Sequence, residues 1–314
     1  MHVTEHLDRA DHTLFSFEII PPPRGKTVRD IIDIVEQIAP VGPPFIDVTS
    51  HMAEAVYEEL SDGSIKRRVR KKRPGTISIC GIIQNRYGIE TVPHLLCAGF
   101  TREETEDAII ELNYLGIENV LAIRGDQSNY TKVVRDGRTR NVYAKDLVEQ
   151  LVDLREARFL EDIANSESIN FCVGVGGYPE KHVESPNFKT DLKYLKEKVD
   201  AGADYIVTQM FFDNTVFMEY VRKCREAGIT VPIIPGLKPI DNVRQLSSLP
   251  KHFHVSMPED LVDEIMETPE HVKEIGKNWT AKQLEGLMNS GLECIHFYVM
   301  NNAKSTVDII REVS

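Results

Sequence analysis

Short runs of β-branched and apolar residues alternate along this chain with longer stretches whose apolar positions recur three or four apart. The long stretches carry helix signals. Thr101-Arg-Glu-Glu104 is a capping box that opens a helix ending near Gly116, and 214–228 combines an asparagine cap with a glycine stop. Phe188, Leu192, Leu195 and Val199, spaced four, three and four, form one helical stripe before Gly202. The short runs read as eight strands, around 15–20, 45–49, 92–97, 119–123, 170–175, 205–209, 232–235 and 294–299. Strands and helices in this alternation predict a parallel α/β fold.

Eight is the strand number of a TIM (β/α)8 barrel, and 314 residues accommodate one such barrel as a single domain, 1–314. The polar residues favour the barrel over an open sheet. Glu18, Thr49, His51, His94, Arg124, Asp126, Tyr178, Gln209 and Lys238 all fall at or just after the C-terminal ends of their strands, where a barrel builds its active site. From Glu18 to Thr49, and from Tyr178 to Gln209, is 31 residues, about one βα unit. No G-x-G-x-x-G follows the first strand, and Gly174-Val-Gly176-Gly177 lacks the third glycine, so a dinucleotide fold of the usual kind is unsupported. The polar stretch 127–142 is expected to form a long loop over the barrel mouth.

One position stands apart. In "FSFEIIPPPRGKT" a carboxylate, Glu18, interrupts an apolar run that stops at three prolines. Burying an unpaired carboxylate is costly or shifts its pKa, so residue 18 is expected to face a cavity.

Composition narrows the function classes. With 41% hydrophobic and 27% charged residues the chain has material for a sizeable core and is not of a disordered type. A net charge of −12 disfavours general binding to nucleic acid or anionic lipid. The basic run from Lys66 to Arg73 is a local exception, expected to be a solvated helix end or loop. Cysteines 80, 97, 172, 224 and 294 are scattered, without CxxC or zinc-ligand spacing, and read as reduced core thiols; no metal site is expected. Nothing resembles a signal peptide or a membrane span, which makes the cytoplasm the default location.

The blocks "FSFEIIPPPR", "IDVTSH", "PHLLC", "NVLAIRGD", "YAKDLV", "GYPEKH", "DLKYLKEKVDAGADYIVTQMFFD", "IIPGLKPI" and "HFYVMN" occur in this order. Together, from Phe15 to Asn302, the chain resembles the flavin-dependent bacterial type of methylenetetrahydrofolate reductase. The resemblance implies a barrel that binds FAD without a Rossmann fold, takes hydride from NADH or NADPH, and reduces 5,10-methylenetetrahydrofolate to 5-methyltetrahydrofolate. Glu18, in F-E-x-x-P-P, corresponds to the general acid that protonates a folate nitrogen. An ordinary Glu titrates at about 4.3, and a dry site raises it toward ~6–7, where it can donate a proton.

By the same resemblance, the FAD contacts are Thr49, His94, Arg124, Gly125, Asp126, Tyr143, Ala144, Tyr178, His182, Asp191 and Lys198. Asp126 would also be catalytic, its negative charge lowering the flavin potential. Lys198 and His182 would meet the diphosphate, and Asp191 the ribose or adenine side. Substrate contacts would be Glu18, Thr49, Asp126, Gln209 and Gln245, with Gln209 serving folate and nicotinamide in turn. The chain departs from the family pattern at Asn302, where relatives commonly carry arginine, and at Leu249, near a substrate-stacking phenylalanine. A homo-oligomer is expected, as is the absence of a further regulatory domain and of inhibition by adenosylmethionine. Two other readings stay open on the residues: a proline dehydrogenase-like flavin barrel, which lacks F-E-x-x-P-P, and a folate-binding module without redox chemistry.

Overall fold

The eight apolar runs become parallel strands that close on themselves in one domain. The computed structural model describes residues 1–125, 130–300 and 302–313. Its strands are β1 (Leu14–Ile19), β2 (Phe45–Val48), β3 (Ala53–Glu59), β4 (Ile65–Lys71), β5 (Glu90–Leu96), β6 (Asn119–Ile123), β7 (Cys172–Gly177), β8 (Tyr205–Met210), β9 (Ile233–Leu237) and β10 (Cys294–Met300). The helices are α1 (Val3–Asp8), α2 (Val28–Ile38), α3 (Thr76–Tyr87), α4 (Arg102–Tyr114), α5 (Ala144–Arg155), α6 (Phe188–Asp200), α7 (Asn214–Glu226), α8 (Gln245–Phe253), α9 (Glu259–Glu267), α10 (Val272–Asn289) and α11 (Lys304–Val313). The barrel order is β1-β10-β9-β8-β7-β6-β5-β2, the closed parallel sheet of a TIM barrel.

Three apolar clusters hold it. The largest lies between strands and helices and includes Ile31, Val35, Ile109, Leu112, Leu195 and Phe217. A second fills the barrel at the N-terminal ends of the strands, where Phe45, Val92, Tyr205 and Ile234 meet Val3 and Leu7 of α1. This short helix caps the bottom, fixed by Val3 N–H donating to Asn119 Oδ1 at 2.8 Å. The third packs α8, α9 and α10 beside β8.

The glycines of β7 serve this packing. A Cβ at Gly174 would overlap the Tyr205 ring, and one at Gly177 would overlap the Tyr220 hydroxyl.

Thr101 and Glu104 cap α4 reciprocally, as the pattern predicts, with Thr101 N–H donating to Glu104 Oε2 at 2.9 Å. At α7 the cap is Asp213, one residue before the expected asparagine. Its Oδ1 accepts from both the backbone N and the Oγ1 of Thr215 at 2.8 Å.

The basic run needs a larger correction, because it is neither a helix end nor a loop. Ile65–Lys71 pairs antiparallel with Ala53–Glu59 as a separate hairpin. Cross-strand ion pairs, Glu54 with its register partner Arg70 and Glu58 with Arg68 on the diagonal, supply what hydrophobic alternation would normally signal. The hairpin base is anchored by Arg73 donating to the Pro21 carbonyl and by the Lys71 ammonium over the Phe100 ring. All five cysteines are free and buried. Among the described residues no helix is long and apolar enough to cross a membrane.

Helix α10 presses on the loop after β9, and a Cβ at Gly276 would overlap the Ile240 carbonyl. Backbone there cannot yield as a side chain would. Gly276→Ala should therefore destabilise the protein by roughly 1–3 kcal/mol in chemical denaturation. A variant within about 0.5 kcal/mol of the parent would show that α10 and this loop are not so closely packed.

Candidate active site

Every strand of a parallel barrel delivers its C-terminal end to the same face, and here that face gathers the polar residues. Glu18 lies one residue from the end of β1, between buried Phe17 and Ile19, with its side chain 14% exposed. Beside it His94, on β5, is 5% exposed, and its Nε2 lies 3.6 Å from Glu18 Oε2. Thr49 follows β2. Its backbone N–H donates to Ile19 O, while its buried Oγ1 makes no hydrogen bond among the described residues. An unsatisfied hydroxyl at the mouth is suited to a ligand's polar atom.

Arg124 and Gly125 follow β6. Glu184 holds the Arg124 guanidinium by two bonds of 2.6 Å and raises its pKa. Gly125 has φ of +88°, a conformation that side-chain-bearing residues rarely adopt, and approaches Leu96 and Ala98. Asp126 lies outside the described residues, as does part of the loop expected over the mouth. Tyr143, 61% exposed, is the N-cap residue of α5, and Ala144 is its first helical residue. The Tyr143 N–H donates to Asp146 Oδ2 at 3.0 Å.

The segment after β7 is organised by hydrogen bonds. Tyr178 packs edge-on against the His182 ring at 4.7 Å. Asp191, in the first turn of α6, accepts from Ser185 Oγ at 2.7 Å and from His182 N–H at 3.2 Å. Burial lowers the His182 pKa, opposed by the charge of Asp191. Lys198, two turns further along α6, donates from Nζ to the Gly176 carbonyl at 2.6 Å. Arg124, His182, Asp191 and Lys198 are thus brought into one neighbourhood.

Gln209, on β8, accepts from Met210 N–H through its own Oε1. Gln245 opens α8, and its Oε1 accepts from the N–H groups of Asp241 and Asn242 at 2.8 and 3.1 Å. With Lys238, Tyr298, Asn302 and buried Leu249 it lines a cavity of about 500 Å³ on the β9–β10 side of the mouth. Asn302 accepts from Lys304 N–H and so caps α11. A second cavity, about 690 Å³, runs from Ser50, His51 and His94 past Lys71 and Phe100. Among the described residues no cluster of three or more potential metal ligands occurs.

Sequence reasoning passed over Asp47, His296, Ser16 and Glu184. Asp47 was visible in "FIDVT" as a second charge inside an apolar strand, the same signal that singled out Glu18. Glu184 in a loop carried no such signal.

Comparison with known proteins is consistent across the chain. A family profile described as methylenetetrahydrofolate reductase matches residues 2–314. The chain is 29% identical over 310 residues to methylenetetrahydrofolate reductase (NADH) 1 of Zea mays, covering 95% of this chain and 48% of that protein. It is 31% identical over 329 residues to methylenetetrahydrofolate reductase 2 of Saccharomyces cerevisiae, covering 100% and 50%. With 5,10-methylenetetrahydrofolate reductase of Escherichia coli it shares 29% over 297 residues, covering 94% and 88%. The chain thus spans about half the length of its plant and yeast relatives. A solved structure from Clostridium thermocellum, described as an uncharacterized protein that binds two copies of 5-methyl-5,6,7,8-tetrahydrofolic acid, superposes with a TM-score of 0.63 at 12% identity. It covers 99% of this chain and 98% of that one, a likeness of fold.

The inward turn of Lys198 is testable without any ligand. Burial lowers its pKa from 10.5 to about 8, although the charge of Asp191 pulls the other way. The folded state therefore disfavours the ammonium, a penalty fully present below about 8 that fades as pH rises toward 10.5. Measured against Lys198→Met, the parent's unfolding free energy should rise between these two pH values. A difference that stays constant would place the ammonium in solvent.

Proposed function

The chain belongs to the methylenetetrahydrofolate reductase family, and we propose that it reduces 5,10-methylenetetrahydrofolate to 5-methyltetrahydrofolate, with FAD as carrier and NADH or NADPH as electron donor. The observation that carries this reading is Glu18: a carboxyl group at the end of β1, 14% exposed, beside a buried histidine, opening onto the barrel mouth. The substrate's five-membered ring must open to an iminium before it can accept hydride, and opening requires a proton on the departing nitrogen. Glu18 is placed to give it.

FAD, when bound, supplies a carrier that takes hydride from one substrate and yields it to the other. The residues present suit it. The backbone of Gly125 permits close approach of a flat ring, and the Thr49 hydroxyl offers a polar atom to its edge. Arg124, Tyr143 and Ala144 flank the same side, and His182, Asp191 and Lys198 serve the diphosphate and adenosine portions. Lys198 would exchange the Gly176 carbonyl for an anion, which favours its charged form. Asp126 is proposed to add negative charge near the ring. Gln209 serves nicotinamide and folate in turn, which implies that one leaves before the other enters. Gln245, with its Oε1 committed to the turn, presents its amide nitrogen to the folate in the cavity beside Lys238. We place the reaction in the cytoplasm.

Glu18→Gln separates the two halves of the reaction, because the amide keeps the shape and cannot donate the proton. In anaerobic stopped-flow, the variant should be reduced by the nicotinamide as the parent is. Its reoxidation by methylenetetrahydrofolate should fall by at least about 100-fold. Reoxidation at the parent rate would remove Glu18 from the acid role. A parent protein that is not reoxidised at all would overturn the proposed function.

A further inference from the structure

Two carboxylates face one imidazole inside the barrel mouth. Glu18 on β1 and Asp47 on β2 are direct register partners, and His94 Nε2 lies 3.6 Å from Glu18 Oε2 and 3.4 Å from Asp47 Oδ2. The Asp47 side chain is 1% exposed, and neither of its oxygens makes a hydrogen bond among the described residues. The 3.4 Å approach is an ion-pair distance without hydrogen-bond alignment. The reaction proposed above gives Asp47 no task, yet a wholly buried carboxylate without a counter-charge is expensive to keep. His296 is the other base nearby, 4.0 Å away, but its Nδ1 is engaged with Ser16 Oγ at 2.9 Å.

We propose that Asp47 is a positioning residue: acting through His94, it retains one proton in the Glu18–His94 pair, so that a proton stands ready for the folate nitrogen at neutral pH. The inference rests on the reading of Glu18 as the acid. The step balances as a proton transfer. His94 Nε2 passes its proton to Glu18 Oε2 and becomes a neutral imidazole, and Glu18 hands that proton to the substrate nitrogen and is left as a carboxylate. Water entering after product release supplies the next proton to His94.

The surrounding charges agree with this assignment. Burial pushes the His94 pKa down, but the carboxylates of Asp47 and Glu18 outweigh it and the net shift is upward. His296 is driven by burial to about 4 and is neutral at pH 7. Burial also raises the phenols of Tyr205 and Tyr298 and the thiols of Cys80 and Cys294, so none of these carries charge there. Lys238, on the loop after β9, is a further cation acting on Glu18. Burial lowers its pKa, and the charges of Asp241 and Glu18 partly restore it.

Asp47→Asn withdraws one negative charge from the pair and so weakens its hold on the last proton. In stopped-flow reoxidation of the prereduced holoenzyme by methylenetetrahydrofolate, the alkaline limb of the pH profile should move to lower pH by about one to three units. Histidine NMR on the same proteins should show His94 charged at pH 7 in the parent and neutral in the variant. A limb and a His94 titration both unmoved by the substitution would overturn the inference. Where Asp47→Asn does not fold, the parent alone decides: His94 charged at pH 7 supports the inference, and neutral His94 overturns it. A parent that folate never reoxidises defeats the proposed function instead, while the His94 titration still judges the Asp47–His94 pair.

Discussion

Two carboxylates enter the barrel interior on neighbouring strands, and much of the architecture follows from the cost of putting them there. An isolated buried charge would be neutralised or expelled. Closing the parallel sheet places His94 opposite both carboxylates, with Lys238 beyond, so the charges compensate one another across strands far apart in sequence. The lower half of the barrel carries no such burden. It is filled by Tyr205, Phe45 and Val92 and capped by α1.

The same face is completed by loops whose side chains are largely committed before any ligand arrives. Glu184 aims Arg124, Asp191 ties down the segment around His182, and Gln245 folds the turn that opens α8. Such internal bonds preorganise a site, lowering the entropy that binding would otherwise cost. They also mean that an anion binding at Lys198 would exchange one partner for another.

The barrel was legible because each strand is a local apolar run and each helix carries its own stops. The eight runs all fall on barrel strands, and the stripe from Phe188 to Val199 lies on α6. What escaped depends on distant pairing. The hairpin of β3 and β4 is held by Glu54–Arg70 and Glu58–Arg68, so its second strand looks in sequence like a solvated basic run. The cap of α7 moved to Asp213 because an aspartate one residue earlier accepts from both donors of Thr215. At the site, Glu18 stood out as a charge in an apolar strand. Asp47 had the same signature, but its partnership with His94 exists only once β2 lies between β1 and β5. That Lys198 and Asp191 share a helix was readable, whereas the reach of Lys198 to Gly176 requires α6 to pack on β7.

If folate chemistry occurs at this mouth with Glu18 as its proton donor, a crystal structure of the holoenzyme with 5-methyltetrahydrofolate should show it. A folate nitrogen should lie within about 2.6–3.2 Å of the Glu18 carboxyl group, or one water away, with the rest of the molecule extending toward Gln245. A ligand seated outside the barrel mouth, or one that leaves Glu18 facing no polar atom of the folate, would contradict it.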